Sequence, residues 1–437
     1  MTYQPLIEYF RNRNVLLLGF GREGRSTCAF IRRYFPDKLL GIADIRDIEV
    51  DDANVRLHTG AAYLKAVDEY DLVMQSPGVS LRGIVPASHV EITGQTDLFL
   101  RFVPCETVGI TGTKGKTTTS TLIYEMLTAA GRPACLIGNM GFPVFDSLDE
   151  LGKKTAVIEM SSHQLEFVRT SPHIAVLTNI YPEHLDHYNG FEGYARAKTN
   201  ILRFQNDKDY FVYNADQDYG GIVNFTALKA RAVPVSARDA EKSAFLCSLT
   251  SINERLRGVH NHHDIFLAAA AARCLGVDEA AIKRGVEHFK GIEHRMEPVG
   301  VFRGIKFYND CIATIPTAVE FAVEALADVG SLIIGGMDRG LDYSGFVAAL
   351  ERSGVDNIIC LPDTGHAIGR ELLKRHCPNN VVFADDMESA VAHAFELTEA
   401  GKSCLLSPAA SSYNRYKDFE EKGGHFKRLV REMGGNG

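Results

Sequence analysis

The sequence GITGTKGKTTTSTLIYEML spans residues 109–127 and joins the end of an apolar strand to a glycine-rich turn and a helical run. Gly115, Lys116 and Thr117 have the spacing of a phosphate-binding loop, in which backbone N–H groups and a helix N-terminus face an anion. In such loops the lysine reaches the β- and γ-phosphates and the hydroxyl binds Mg²⁺. Ile110 replaces the first glycine of G-x-x-x-x-G-K-[ST], which leaves the shorter form T-G-x-x-G-K-T-T. The stretch predicts a phosphate site, and the alternative is a glycine turn that binds nothing.

The residues that follow the loop add polar groups that could bind a metal ion or a substrate. Glu159 ends the apolar run TAVIE, and a carboxylate at a strand end can share Mg²⁺ with the loop or can merely cap a helix. His184, Asp186 and His187 crowd the next loop, and Lys198 lies in a helix beyond it. This crowding favours a second metal or substrate-carboxylate site over a loop that is simply solvated.

The composition is that of a globular protein with several domains. The 437 residues are 45% hydrophobic and 23% charged, and the net charge of -8 argues against a nucleic-acid partner. We find no apolar run of about 18 residues, so we expect no membrane partner. The nine cysteines show no CxxC spacing, which is typical of reduced thiols, and we expect a cytoplasmic protein.

Strand-sized apolar runs alternate with helical patterns in three successive segments, which predicts an α/β fold with three domains. We place the domains at residues 1–103, 104–291 and 292–437. The runs VLLLGF, KLLGIAD and DLVMQSPGV belong to the first segment. TVGIT, TAVIEMSS, HIAVLTNI and YFVYNAD belong to the second, and GIKFYND, SLIIGGMD, NIICLPD, NVVFADD and SCLLSPAA belong to the third.

The first segment also carries a nucleotide-binding pattern. Gly19, Gly21 and Gly24 form G-x-G-x-x-G directly after a strand, and Asp44 follows the last glycine by twenty residues. By itself this fingerprint favours a dinucleotide site, as in an NAD-dependent dehydrogenase. Its combination with a phosphate loop in a second segment argues against a dehydrogenase.

Taken together, the motifs resemble those of the Mur ligases. TGTKGKTTT, EMSSHQLE, TNIYPEHLDHY with AKTNI, GVHNHHD, GIEHRME, FYND and LSPAASSYNRYKDFEEKG follow the order and approximate spacing of that family over nearly the whole chain. The resemblance implies a Rossmann-like UDP-binding domain, a central P-loop ATPase domain with a mostly parallel sheet, and a C-terminal Rossmann-like domain that binds an amino acid.

The resemblance also implies a reaction. ATP activates the carboxylate of UDP-N-acetylmuramoyl-L-alanine as an acyl phosphate, the amine of D-glutamate attacks it, and ADP and phosphate are released in peptidoglycan precursor synthesis. The implied cofactors are ATP and two Mg²⁺ ions, with Lys198 as a carbamate, and the implied state is a monomer. Two alternatives stay open: the same reaction with L-glutamate, and a ligase of the folylpolyglutamate synthase type.

Residue roles carried over by the resemblance fall into several groups. Those that catalyse are Lys116, Glu159, His184, Lys198 and Arg295. Those that bind ATP are Gly112, Thr113, Lys114, Gly115, Lys116, Thr117, Thr118, Asn261, Arg295 and Asp310. Those that bind the UDP substrate are Gly19, Gly21, Gly24, Asp44, Ser76, Gly78, Thr96, Asn139, Ser161 and Gln164. Those that bind glutamate are Thr314, Arg339, Ser407 and Tyr416, and those that hold metal are Thr117, Glu159, His184 and carbamylated Lys198.

The sequence departs from the family pattern around the glutamate and adenine positions. Ile312 and Ile315 replace a lysine and an asparagine of the third domain, and Arg339 stands where the best-known form has a lysine. Arginine can bind a carboxylate through two parallel hydrogen bonds. Asp264 replaces an asparagine near the adenine position. These changes predict an altered glutamate pocket and leave the chirality of the amino acid open.

Overall fold

The computed structural model divides into two compact units, Met1–Lys290 and Gly291–Gly437. It describes residues 3–138, 143–183, 185–188, 190–240, 242–256, 258–326, 328–338, 341–413 and 415–435. Three separate sheets lie in these units, two in the first and one in the second. This arrangement confirms the α/β fold class, while the division of the first unit at residue 103 stays a prediction.

The first sheet has five parallel strands in the order β3-β2-β1-β4-β5. Every residue of β1 is buried, as expected for a strand covered on both faces. The strand order reverses between β1 and β4, and ligands of open α/β sheets bind at such a point. The strands are β1 Val15–Leu18, β2 Leu40–Asp44, β3 Val55–Thr59, β4 Leu72–Gln75 and β5 Glu91–Thr93, and the helices are α1 Gln4–Arg11, α2 Arg22–Tyr34 and α3 Gln95–Phe102.

The second sheet has six strands, again all parallel, in the order β11-β10-β9-β6-β8-β7. Its strands are β6 Thr107–Thr111, β7 Ala134–Gly138, β8 Thr155–Glu159, β9 Ile174–Leu177, β10 Tyr210–Asn214 and β11 Arg231–Val235. Its helices are α4 Lys116–Ala129, α5 Leu148–Leu151, α6 Ser162–Leu165, α7 Leu185–Tyr188, α8 Phe191–Arg203, α9 Ala237–Ala240, α10 Ala244–Leu249, α11 Val259–Cys274 and α12 Glu279–His288. Because β6 lies between β8 and β9, the segments that follow these three strands meet at one edge of the sheet.

The third sheet is mixed, because β12 and β13 pair antiparallel while the other strands run parallel, in the order β12-β13-β17-β14-β15-β16. Its strands are β12 Glu297–Phe302, β13 Ile305–Asn309, β14 Val329–Gly336, β15 Asn357–Asp363, β16 Asn380–Phe383 and β17 Ser403–Leu406. Its helices are α13 Pro316–Leu326, α14 Ser344–Arg352, α15 Thr364–Lys374, α16 Met387–Leu397 and α17 Phe419–Gly434. Within the described parts of the chain, no helix has the length and apolar character needed to cross a bilayer.

Candidate active site

The turn between β6 and α4 forms the predicted phosphate loop, and two of its glycines are required by close contacts. A Cβ atom on Gly112 would lie 1.8 Å from Oγ1 of Thr178, and one on Gly115 would lie 2.2 Å from Oδ1 of Asp264. Gly115 also has a φ of +84°, which disfavours any residue with a side chain. The loop therefore depends on these glycines for its conformation.

The segment after β9 holds the loop in place. The side-chain oxygen of Asn179 accepts a 2.8 Å hydrogen bond from the backbone N–H of Lys114, and its amide donates to the Lys114 carbonyl at 3.0 Å. The hydroxyl of Thr113 lies 2.9 Å from that of the fully buried Tyr194. The amine of Lys114 forms an exposed ion pair with Glu183 at 2.8 Å. The predicted residues Thr113 and Lys114 thus shape the loop through contacts with its neighbours.

A hydroxyl and a carboxylate meet beside the loop. Oγ1 of Thr117, in the first turn of α4, donates a 2.7 Å hydrogen bond to Oε2 of Glu159 at the end of β8. Glu159 is only 2% exposed. The amine of Lys116 donates to the carbonyls of Gly112 and Thr113 at 3.0 and 3.1 Å. The structure therefore brings Lys116, Thr117 and Glu159 together at one edge of the second sheet.

Lys198 reaches the same loop from α8. Its amine donates a 2.8 Å hydrogen bond to the carbonyl of Gly112, which also accepts from Lys116, and lies 4.8 Å from the ring centre of Tyr194. Lys198 is 2% exposed. Burial, and secondarily the charge of Lys116, lower the pKa of Lys198 to about 6. A neutral amine at physiological pH follows from this environment.

In the first segment, the glycine-rich turn lies at the reversal of strand order. Oγ of Ser76 donates a 2.8 Å hydrogen bond to the carbonyl of Gly19, and a Cβ atom on Gly24 would lie 2.1 Å from that same oxygen. Positions Gly21 and Gly78 are open, because a Cβ atom on either would meet no described atom within 4 Å. The turn is therefore tightly packed at Gly19 and Gly24 and open at Gly21 and Gly78.

Asp44 supports this turn from the end of β2. Its carboxylate accepts a 2.9 Å hydrogen bond from the backbone N–H of Phe20 and two from the guanidinium of Arg46, at 2.9 and 3.0 Å. The bond to Arg46 is the main reason why the pKa of Asp44 falls to about 2. The predicted UDP-binding carboxylate is therefore ionised and already engaged, and Arg46 is a neighbour that the sequence reasoning missed.

Within the first unit, a cleft lies between the segment that contains the first sheet and the segment that contains the second. It contains two predicted substrate residues, Thr96 and Gln164, and is lined by Glu23, Gln75, Pro77, Gly94, Gln95, Thr96, His163, Gln164 and Phe167. Ser161 and Gln164 form a capping box at α6, so Ser161 positions Gln164. The amide of Gln164 then donates a 2.8 Å hydrogen bond to Oε1 of Glu23.

The second unit brings Asp310 and Ser407 together. They follow the adjacent strands β13 and β17, and Oγ of Ser407 donates a 2.7 Å hydrogen bond to Oδ2 of Asp310. Burial raises the pKa of Asp310 to about 6, against the effects of Ser407, of the Met296 N–H and of the Arg295 charge. Arg295 itself is exposed. The hydroxyl of Tyr416 lies 3.0 Å from Nδ1 of His425.

The surroundings of the remaining predicted residues say less about their roles. Thr118 is buried in α4, and Asn261 lies in the first turn of α11, one turn before Asp264. Thr314 is partly buried, and its N–H donates to the Ile312 carbonyl at 3.0 Å. Asn139, His184 and Arg339 lie outside the described residues. Within the described part of the chain, no group of three or more His, Cys, Asp or Glu residues is arranged to hold a metal ion.

Sequence reasoning missed four further residues that structure these sites: Glu23, Thr178, Tyr194 and His425. Glu23 lies inside the glycine fingerprint, so the sequence could place it near the nucleotide site, but it could not predict the contact with Gln164. The other three lie within or near recognised motifs and act through side-chain contacts that no local pattern reports.

Family models and curated relatives both match this chain. A model of the Mur ligase middle domain matches residues 110–270, and a model of the Mur ligase, glutamate ligase domain matches residues 294–410. The chain is 36% identical over 412 residues to UDP-N-acetylmuramoylalanine--D-glutamate ligase of Symbiobacterium thermophilum, covering 89% of this chain and 90% of the relative. The ligase of the same name from Streptococcus gordonii is 32% identical over 458 residues, covering 98% of this chain and 99% of the relative.

Solved structures share the fold at low sequence identity. UDP-N-acetylmuramate-alanine ligase MurC from Thermotoga maritima has a TM-score of 0.56 and 17% identity, covering 97% of this chain and 100% of its own. Mycobacterium tuberculosis folylpolyglutamate synthase complexed with ADP has a TM-score of 0.55 and 16% identity, covering 75% of this chain and 91% of its own. The expected resemblance is confirmed: the chain belongs to the Mur ligase family and is an ATP-dependent ligase.

Proposed function

We propose that this ligase joins D-glutamate to UDP-N-acetylmuramoyl-L-alanine in peptidoglycan precursor synthesis, through an acyl phosphate and with release of ADP and phosphate. The observation that carries the proposal is the convergence of Lys116, Lys198 and the Thr117–Glu159 pair on one glycine loop. The relatives at 30–36% identity that bear the name of this reaction support the choice of substrates.

The first step is a phosphoryl transfer, and the loop supplies the groups that it needs. The N–H groups of the loop and the N-terminus of α4 bind the phosphates, and Lys116 leaves the loop carbonyls to contact the β- and γ-phosphates. A substrate carboxylate oxygen attacks the γ-phosphorus, the bond to the β–γ bridging oxygen breaks, and ADP leaves. Such transfers depend on positioning and on stabilisation of negative charge.

The oxygen atoms of Thr117 and Glu159 fit Mg²⁺, which prefers hard oxygen ligands and usually keeps bound phosphates and waters as well. Their 2.7 Å contact supports the binding of one ion by both side chains. When bound, the ion neutralises phosphate charge. For a second Mg²⁺ we propose His184 and the carbamate of Lys198 as ligands, and His184 lies outside the described residues.

The environment of Lys198 supports carbamylation. Its lowered pKa leaves the amine neutral at physiological pH, so the nitrogen can attack CO₂, forming an N–C bond and releasing one proton. The product is an anion in place of a neutral amine, next to the loop carbonyl of Gly112. The added negative charge provides a metal ligand, whereas an ammonium at this position would repel the ion.

In the second step, the amine of glutamate attacks the acyl carbon, and phosphate leaves from the tetrahedral intermediate. We propose Thr314, Arg339, Ser407 and Tyr416 for glutamate binding, and Asn261, Arg295 and Asp310 for ATP. Ser407 is hydrogen-bonded to the buried Asp310, so a residue proposed for glutamate binding directly contacts one proposed for ATP binding. We further propose that the ligase acts as a cytoplasmic monomer; all nine cysteines are free thiols, which supports a reducing compartment.

The decisive experiment measures ADP and phosphate release and the amide product with UDP-N-acetylmuramoyl-L-alanine, Mg²⁺, ATP and either enantiomer of glutamate. The proposal expects product with D-glutamate only, and product with L-glutamate alone would replace it by the first alternative. Folates in the same assay test a ligase of the folylpolyglutamate synthase type. That alternative is less favoured, because the folylpolyglutamate synthase structure covers 75% of this chain whereas the MurC structure covers 97%.

A further inference from the structure

Glu23 lies in the first turn of α2, directly after the glycine turn, and lines the cleft described above. Its Oε1 accepts the 2.8 Å hydrogen bond from Gln164, and its backbone carbonyl accepts one from the amide of Gln95 at 3.0 Å. Thr96 lines the same cleft, and its hydroxyl is buried without a hydrogen-bond partner in the described part of the chain. The cleft thus combines this buried hydroxyl with an acidic side chain.

We propose that Glu23 is a positioning residue for the nucleotide-sugar substrate, fixing the Gln164 amide across the cleft and facing the anionic substrate. The inference rests on the function proposed above, because that substrate carries a diphosphate. An ionised carboxylate in the same cleft would repel the diphosphate, whereas a protonated one can donate a hydrogen bond to it. Substrate binding is therefore coupled to protonation of Glu23.

The surroundings of Glu23 permit this coupling near neutral pH. Burial raises the pKa of Glu23 to about 7, and the hydrogen bond from Gln164 opposes the rise. Because an anionic ligand favours the protonated form, affinity is highest below this pKa and falls as the pH rises through it. Other charged or titratable groups on the surrounding segments include Arg22 and Arg25 of α2, Asp97 and Arg101 of α3, Asp146 near Ser26, His163 of α6 with His187 against its ring, and Glu166 beside His187.

The experiment compares wild type with Glu23→Gln, which keeps the size and an acceptor for Gln164 but cannot titrate. Binding of UDP-N-acetylmuramoyl-L-alanine is measured by calorimetry on the intact protein between pH 6 and 8, beside KM and kcat. If only the protonated form binds, the wild-type dissociation constant rises about tenfold across that range. In Glu23→Gln the rise is largely lost while kcat is kept, and the exposed control Glu49→Gln behaves like wild type.

The outcomes separate this inference from the proposed function. An unchanged pH profile in Glu23→Gln overturns the role of Glu23 while leaving the ligase reaction intact, since another group would then carry the titration. A wild-type protein that neither binds nor ligates the UDP substrate at any of these pH values overturns the proposed function as well. Glu23→Ala provides a second test: loss of the Gln164 contact should raise KM at every pH, with kcat retained.

Discussion

Thr117 and Glu159 are 42 positions apart in the sequence, yet the hydroxyl of Thr117 donates a 2.7 Å hydrogen bond to the carboxylate of Glu159. The parallel pairing of β6 with β8 explains the contact, because Glu159 ends β8 and Thr117 follows the same end of the neighbouring β6. The pair brings two oxygen atoms, one from each segment, to the same edge of the second sheet.

We expect Glu159→Ala to lower kcat by about 10²-fold or more, the scale on which the loss of one charge-stabilising group acts in active sites. Thr117→Ala should weaken Mg²⁺ binding, so that phosphate release needs a higher Mg²⁺ concentration, whereas Thr117→Ser keeps the hydroxyl and most of the activity. Steady-state phosphate release at several Mg²⁺ concentrations measures both effects. Binding of the UDP substrate should be largely intact in each variant, and full turnover by Glu159→Ala would remove this role.

Lys198 should lower the stability of the folded protein at neutral pH. Its pKa is about 6 when folded and 10.5 ordinarily, so between these values the unfolded chain binds more protons at this position. The free energy of unfolding therefore falls by about 1.4 kcal/mol for each pH unit of acidification in that window. Lys198→Met should remove this slope and be more stable than wild type at pH 7, as measured by urea unfolding in CO₂-free buffer at pH 7 and 9. A slope that persists in Lys198→Met would assign the titration to another group.

The activity of a Lys198 variant tests whether this lysine acts as a carbamate. Lys198→Ala should be nearly inactive, and short carboxylic acids should restore part of the rate because they return an anion to the space beside the Gly112 carbonyl. Lys116→Ala provides the comparison, since its missing cation should not be restored by an added anion. A Lys198→Ala enzyme that works at the wild-type rate without carboxylic acids contradicts the carbamate.

The sequence alone predicts the position of the glycine turn and of the helix after it, because both are local. Gly115, Lys116 and Thr117 are contiguous, and the helix begins there as expected; their roles stay predictions. The strands with long apolar runs are predicted equally well. Short or exposed strands such as β3 and β5 are not, since β3 has only partly buried or exposed residues and β5 has three residues in all.

Contacts between distant segments could not be predicted in this way. The sequence marks Asp44 as a nucleotide-binding residue by its distance from the glycines, but only the fold shows that Arg46 and the Phe20 N–H hydrogen-bond to its carboxylate. The motif comparison places Asp264 near the adenine position, and the structure places it against Gly115 of the phosphate loop. Such contacts depend on how helices pack on the sheet, and no local pattern encodes that packing.

Removal of the Ser407 hydroxyl should act on stability through Asp310. The folded pKa of Asp310 is about 6 against an ordinary 3.8, so its contribution to stability is lost as the pH rises through this window. Ser407→Ala removes the hydrogen bond that holds the pKa down and should lower the free energy of unfolding by about 1–3 kcal/mol at pH 7.5. The loss should be smaller at pH 5, where Asp310 is neutral, and an equal loss at both values contradicts the coupling.

The contact between Tyr416 and His425 should tune glutamate binding. Burial raises the pKa of Tyr416 to about 12, so its hydroxyl stays protonated at neutral pH and shares a 3.0 Å hydrogen bond with Nδ1 of His425. His425→Leu removes that partner and should raise the KM for glutamate about fivefold, as expected for a loss of about 1 kcal/mol, with kcat retained. His425→Asn is the matched control, because its side-chain oxygen can stand in for Nδ1. Equal KM values for His425→Leu and wild type would show that the ring of Tyr416 is held by packing alone.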